Sequence, residues 1–222
     1  MKYFFTGLML LLNLTGISQK LQDGQHVNID SSKSSLSDRM KLICPSYSSI
    51  PTELEIPMLL ALIHFPEIKN SRIKFKLAKI KTTMNARPTM GSLIFRSKEK
   101  RTYIVRINDQ KMDSVISIFE VPYNAQIGVF GHEFSHFVDY VGLSFWGVLK
   151  RGLSYGSPEK KSAYEKQTDI LTIQHGLGEE LLDWSDYVLN RSNATSAYKS
   201  FKRSTYLTPP EIKAEILRLS TQ

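Results

Sequence analysis

A single cysteine in 222 residues, Cys44, removes two options at once. No internal disulfide can form, and no zinc finger built on thiolates can assemble. Glycine and proline number only 12 and 9, which excludes collagen-like repetition and a Pro/Gly-rich disordered chain. No internal repeat is present, so solenoid and propeller architectures are excluded. Long apolar runs are also lacking. The most apolar stretch, Tyr3 to Leu14, is uncharged but shorter than the roughly 20 residues that span a bilayer.

What is present is the composition of a globular protein. Hydrophobic residues make up 41% and charged residues 23%, enough to bury one core. One domain of roughly 150–200 residues is expected. Basic residues outnumber acidic ones 29 to 21, a net charge of +8. That surplus raises nucleic acid as a partner. It is spread over Lys74–Lys81, Arg96–Arg101 and scattered positions, however, and no nucleic-acid motif gathers it, so no such partner is expected.

Met1 to Ser18 (MKYFFTGLMLLLNLTGIS) has a basic start, an apolar core, and small residues at Gly16 and Ser18. This is the pattern of a secretory signal peptide cleaved after Ser18. It implies an exported protein, periplasmic or secreted, with no stable membrane span once the signal is removed; a short N-terminal anchor is the alternative. Residues 19–49 are polar and Ser-rich and are expected to form a leader or linker. The packed domain is expected over 50–222.

Within that domain, the apolar run Met58–Ile63 indicates a buried helix with Pro57 near its start, and His64 at its end is expected to be a boundary residue. Arg72 to Thr82 alternates lysines with apolar residues, as a strand with one basic face does. Ser92–Phe95 and Thr102–Asn108 are expected to form a hairpin around the charged turn Arg96–Arg101. After Asn108 the pattern is mainly helical, with Glu179–Leu189 and Pro209–Leu219 as further helices, the latter opened by a Thr208/Glu211 capping box. Phe145–Leu153 (FWGVLKRGL) sets aromatic residues beside Lys150 and Arg151; it either packs on its own domain or serves as a lid or membrane contact.

The chemistry concentrates in Gly131–Tyr140 (GHEFSHFVDY). His132 and His136 are four apart, so on a helix both imidazoles lie on one face and can grip one metal ion. Glu133 stands beside that face, where it can take a proton from a metal-activated water. With five histidines in the chain, a chance H-E-x-x-H has odds of roughly one in a hundred. Ile127, Phe130, Phe134, Phe137 and Val141 form an apolar stripe nearly opposite the histidines. Asp139 falls on the histidine side, one turn on, either supporting the site or merely polar.

A catalytic zinc takes three protein ligands and leaves one position for water. Asp139 and Gly142 stand where H-E-x-x-H-x-x-G-x-x-H would need Gly and His, which removes that option. Downstream, Ser157-Pro158 starts a helix carrying Glu165 and Asp169 four residues apart. Here the chain resembles the gluzincins, zinc peptidases that include thermolysin and its small bacterial relatives. The matching residues are His132, Glu133, His136, Glu165 and Asp169, and the match covers Gly131 to Asp169. The resemblance implies Zn2+ as cofactor, Glu165 as third ligand, Glu133 as catalytic base, and Asp169 as the acceptor that fixes a ligand histidine. Glu165 closing a capping box from Ser162 is the structural alternative.

The element order fits an α+β fold of minimal zincin type: a small, mostly antiparallel sheet on an active-site helix, a ligand helix after it, and a helical C-terminal half. Thr102–Asn108 is nominated as the edge strand that pairs with an extended substrate. His175, Tyr187, Arg191 and Tyr206 are candidates for stabilising the oxyanion; His175 is too far around its helix from Glu165 to act as a ligand. The expected function is zinc-dependent hydrolysis of peptide or protein substrates, by endopeptidase action; the alternative is a catalytically inactive binding protein on the same scaffold.

Overall fold

The computed structural model describes residues 46–109 and 115–221. The expected signal segment, and the expected leader up to residue 45, lie outside these residues. Among the described residues there are four strands: β1 (Ser46–Ser48), β2 (Arg72–Ala78), β3 (Met84–Pro88) and β4 (Thr102–Asn108). The helices are α1 (Thr52–Leu62), α2 (Met90–Phe95), α3 (Tyr123–Gly142), α4 (Phe145–Leu153), α5 (Pro158–Gln174), α6 (Gly178–Asp186), α7 (Ser196–Thr205) and α8 (Pro209–Ser220). The fold is α+β with a helical C-terminal half, as expected.

The sheet has the order β1-β2-β4-β3. β1 and β2 are parallel, as are β2 and β4; only β3 and β4 are antiparallel. The sheet is therefore mixed, not mostly antiparallel. The chain leaves β2, runs back along the far edge as β3, and returns as β4 in the slot between them. That route forces the β2–β4 pairing to be parallel and makes β4 internal, so the nomination of Thr102–Asn108 as an edge strand fails. β3 is the antiparallel edge, and Pro88 is tolerated at its end because an edge strand can spare the N–H. β1 lies inside the expected leader, so packed structure begins by Ser46.

The expected hairpin fails for a related reason. Ser92–Phe95 is helical, and its start is fixed by hydrogen bonds. Leu93 N–H donates to Thr89 O (2.9 Å), and the Ser92 hydroxyl bonds to the Thr89 side chain (2.8 Å) and to Thr102 O (3.0 Å). The antiparallel partner of β4 is instead Met84–Pro88.

α3 runs through the middle of the core. On its apolar stripe Phe130, Phe134 and Phe137 are fully buried, and Ile127 is nearly so. Tyr103 of β4 lies 4.7 Å from Phe137, and Phe75 of β2 lies 6.3 Å from Phe130, so the sheet covers this face. The alternate side chains of β2, Lys74 and Lys76, face outward and form the expected basic face. Phe65, just after α1, packs edge-on to Phe134. α1 continues through Pro57 from its start at Thr52. The end of α3 is held by the buried Arg101, which donates to Tyr140 O (3.2 Å) and Leu143 O (2.7 Å). Such capping satisfies carbonyls that a helix end leaves orphaned.

The other side of α3 receives α5 and α6. At the crossing with α6, a Cβ on Gly128 would stand 2.1 Å from the Glu180 carbonyl oxygen, so only glycine permits the approach. α5 ends at Gln174, and Gly176 just beyond its cap takes a φ of +82° that glycine adopts without strain. α8 carries the expected capping box between Thr208 and Glu211.

Candidate metal centre

α3 and α5 pack so that His132 and His136 meet Glu165. The sequence makes this possible at one contact: Ser135 on α3 and Thr172 on α5 share a hydrogen bond of 2.8 Å. His132 lies three residues before Ser135 and His136 directly after it, while Asp169 and Glu165 lie one and two turns before Thr172. His132 Nε2 is 3.1 Å and His136 Nε2 3.5 Å from Glu165 Oε2. One ligand atom from each of the three residues lies within 4.8 Å of the others, and all three residues are buried. This group can hold a metal ion. Ser162, the alternative partner of Glu165, instead donates to Ser204 O, and the N-cap of α5 is Ser157. The capping-box reading of Glu165 is thus ruled out.

Both histidines have the outer nitrogen engaged. His132 Nδ1 lies 2.8 Å from Asp169 Oδ1, and the other oxygen of Asp169 accepts from Leu207 N–H at 2.8 Å. His136 Nδ1 lies 3.0 Å from the Tyr164 hydroxyl, which donates to Asp139 Oδ2 at 3.3 Å. Asp139 accepts two hydrogen bonds from Arg151 of α4, at 2.9 and 2.7 Å, and the guanidinium lies 4.2 Å from the Tyr164 ring centroid. These contacts direct both Nε2 atoms at Glu165, the geometry a metal ligand needs.

The electrostatics favour a cation. Burial alone would keep His132 neutral, but the hydrogen bonds and charges of Asp169 and Glu165 outweigh it and lift its pKa to about 10. Burial likewise opposes ionisation of Glu165, yet His136 and His132 hold its carboxyl well below the usual range. Glu133 goes the other way: burial pushes its pKa up, and the two histidines offset only part of this. Its Oε2 is buried without a hydrogen-bond partner. A buried carboxylate oxygen left unpaired is costly and calls for a ligand or a role.

Tyr206 stands over the site with its ring 5.5 Å from that of His132 and a Lys202 ammonium 3.9 Å from its own centroid. Burial pushes its hydroxyl well above the usual range, and the charge of Glu165 adds to this. The other oxyanion candidates are engaged elsewhere. Tyr187 donates to Glu120 O, Arg191 binds Asp186 and Asp183 O, and His175 contacts Glu67 and Leu171 O. His64 is indeed structural, with Nδ1 2.7 Å from His175 O.

His132, Glu133 and His136, singled out by their spacing, and Glu165 and Asp169, implied by the resemblance, therefore converge. Asp139, left open by the sequence, supports His136; Tyr164 and Arg151 were not singled out, because their pairing depends on α4 folding back over α3. Comparison of the chain with protein-family models, with curated proteins and with solved structures gives no match in any of the three.

Proposed function

We propose that this protein is an exported zinc-dependent metallopeptidase of gluzincin type. The observation that carries the reading is the buried His132/His136/Glu165 donor set with the unpartnered Glu133 Oε2 beside it. The donors suit zinc in kind, two imidazole nitrogens and a carboxylate oxygen. They also suit it in spacing, since tetrahedral ligands about 2.0–2.1 Å from zinc lie about 3.4 Å apart. Export rests on the Met1–Ser18 pattern.

A zinc ion here would polarise the scissile carbonyl and lower the pKa of a water molecule. Glu133 accepts the water proton on Oε2 and returns it to the leaving amine nitrogen. Burial raises its pKa above the ordinary carboxylate value, which favours taking up the water proton. Tyr206 keeps its proton, because burial and the neighbouring carboxylates disfavour the phenolate, and donates it as a hydrogen bond to the oxyanion. β3, the antiparallel edge of the sheet among the described residues, is the strand beside which an extended peptide would pair.

Glu133→Gln should leave zinc bound at about one ion per chain while hydrolysis of casein falls by at least about 100-fold. Casein cleavage that survives this change would refute the proposal. The site residues are at most 6% exposed, which favours a second reading: a metal-holding binding protein without activity. A zinc-loaded chain that cleaves no peptide substrate would establish that reading instead.

A further inference from the structure

α4 is amphipathic the wrong way round for a helix packed on its own domain. Only Val148 is buried, whereas Trp146 and Leu153 are 73% and 72% exposed and Leu149 is exposed between them. At about 100° per residue these three fall on one side of the helix, with Lys150 beside them. Val148 and Arg151 point inward, the latter to Asp139.

A second apolar cluster lies at the same end of the molecule. Met90, Ile94 and Phe95 of α2 are exposed, Phe95 by 84%. The segment that follows α2 leads to Arg101, which is bonded to Leu143 O just ahead of α4. Arg96, Lys98 and Lys100 border this cluster, against the single acidic Glu99. Lone exposed apolar residues are ordinary; two clusters of large ones, on helices linked through the Arg101–Leu143 contact and each with cations beside it in the sequence, are not.

We infer that the α2–α4 end is a docking surface for an anionic lipid bilayer. A tryptophan and large aliphatic residues form its apolar part, and lysines and arginine its rim. That is the composition of a helix lying in the plane of a bilayer interface, where apolar side chains enter the acyl boundary and cations meet acidic headgroups. Nucleic acid would engage the rim but leave Trp146, Leu149 and Leu153 in water.

The test uses tryptophan fluorescence of the full chain. The two tryptophans are Trp146 and the buried Trp184, so Trp184→Phe makes Trp146 the sole reporter. It reads α4 directly, independently of any insertion of the apolar Tyr3–Leu14 run. With vesicles of phosphatidylglycerol and acyl-brominated phosphatidylcholine, Trp146 emission should shift to the blue and be quenched. Vesicles of the brominated phosphatidylcholine alone should produce little of either. Lys98→Gln with Lys100→Gln should weaken partitioning by about 25-fold, taking about fivefold per charge removed. Flotation of the chain with native tryptophans, compared with its Leu149→Ser/Leu153→Ser variant, repeats the test if Trp184→Phe fails to fold. Loss of flotation in that variant supports the docking face.

Unquenched Trp146 with anionic vesicles overturns the inference. So does partitioning that the lysine changes leave unaltered. A blue shift that grows with protein concentration without lipid assigns the face to a second copy of this chain, and binding to DNA with Trp146 unquenched assigns it to a polyanion.

Discussion

Glu133 and Glu165 belong to one buried cluster yet are driven in opposite directions. Two imidazoles hold Glu165 ionised, while burial raises Glu133 and no hydrogen bond steadies its Oε2. Separation of this kind lets one carboxylate bind while the other exchanges a proton. The residues that steady the ligands are open to direct test. Tyr164→Phe removes the acceptor for His136 Nδ1–H and leaves only Thr168 Oγ1, at 3.5 Å. Zinc affinity should fall by about 10–100-fold, measured by competition with a chromophoric chelator, and Asp139→Asn should produce a smaller loss. Equal affinity in all three proteins would mean that the Arg151–Asp139–Tyr164 chain plays no part in holding His136. At this scale His132, Glu133 and His136 were legible because helical spacing dictates what they can face, whereas Glu165 and Asp169 were reached through the gluzincin resemblance. A phenol and a guanidinium have no such spacing rule, so Tyr164 and Arg151 needed the fold.

The crossing of α3 and α6 depends on Gly128. Gly128→Ala places a Cβ against the Glu180 carbonyl oxygen, an atom of the backbone that cannot swing aside. Its cost should be about 1–3 kcal/mol, read as a lower urea midpoint with an unchanged slope. Gly142→Ala, which meets nothing within 4 Å, should leave the midpoint unmoved and so controls for propensity. Helices with caps or a strong apolar stripe were legible in the sequence, α3, α5 and α8 among them. Other elements were not, α2, β3 and α7 among them. α2 has a strand-like run, SLIF, and becomes a helix only through the bonds among Thr89, Ser92 and Thr102. β3 is MNARP, poor in strand formers, and exists because β4 offers it an edge. α7 begins from a Thr195 cap, with Tyr198 N–H donating to its hydroxyl, in a segment of mixed polarity.

For the molecule as a whole, metal and stability should be linked. A ligand that binds only the folded chain stabilises it by about 2.7 kcal/mol at 100 times its Kd. For a domain of this size that should raise Tm by about 5–10 °C, reversed by a chelator and absent in His132→Ala. A Tm indifferent to zinc and chelator alike would show that the cluster holds no zinc. The α+β class and the helical C-terminal half were legible from the change in periodicity after Asn108. The mixed order of the sheet was not, because periodicity says nothing of which strand lies beside which. Asp169 ties these scales together. Its two oxygens are divided between His132 and the Leu207 amide, so one carboxylate steadies both His132 and the joint between α7 and α8. Metal retention thereby becomes a gauge of whether that joint is closed: a protease nick there would announce itself first as leaking zinc, before any helix melts.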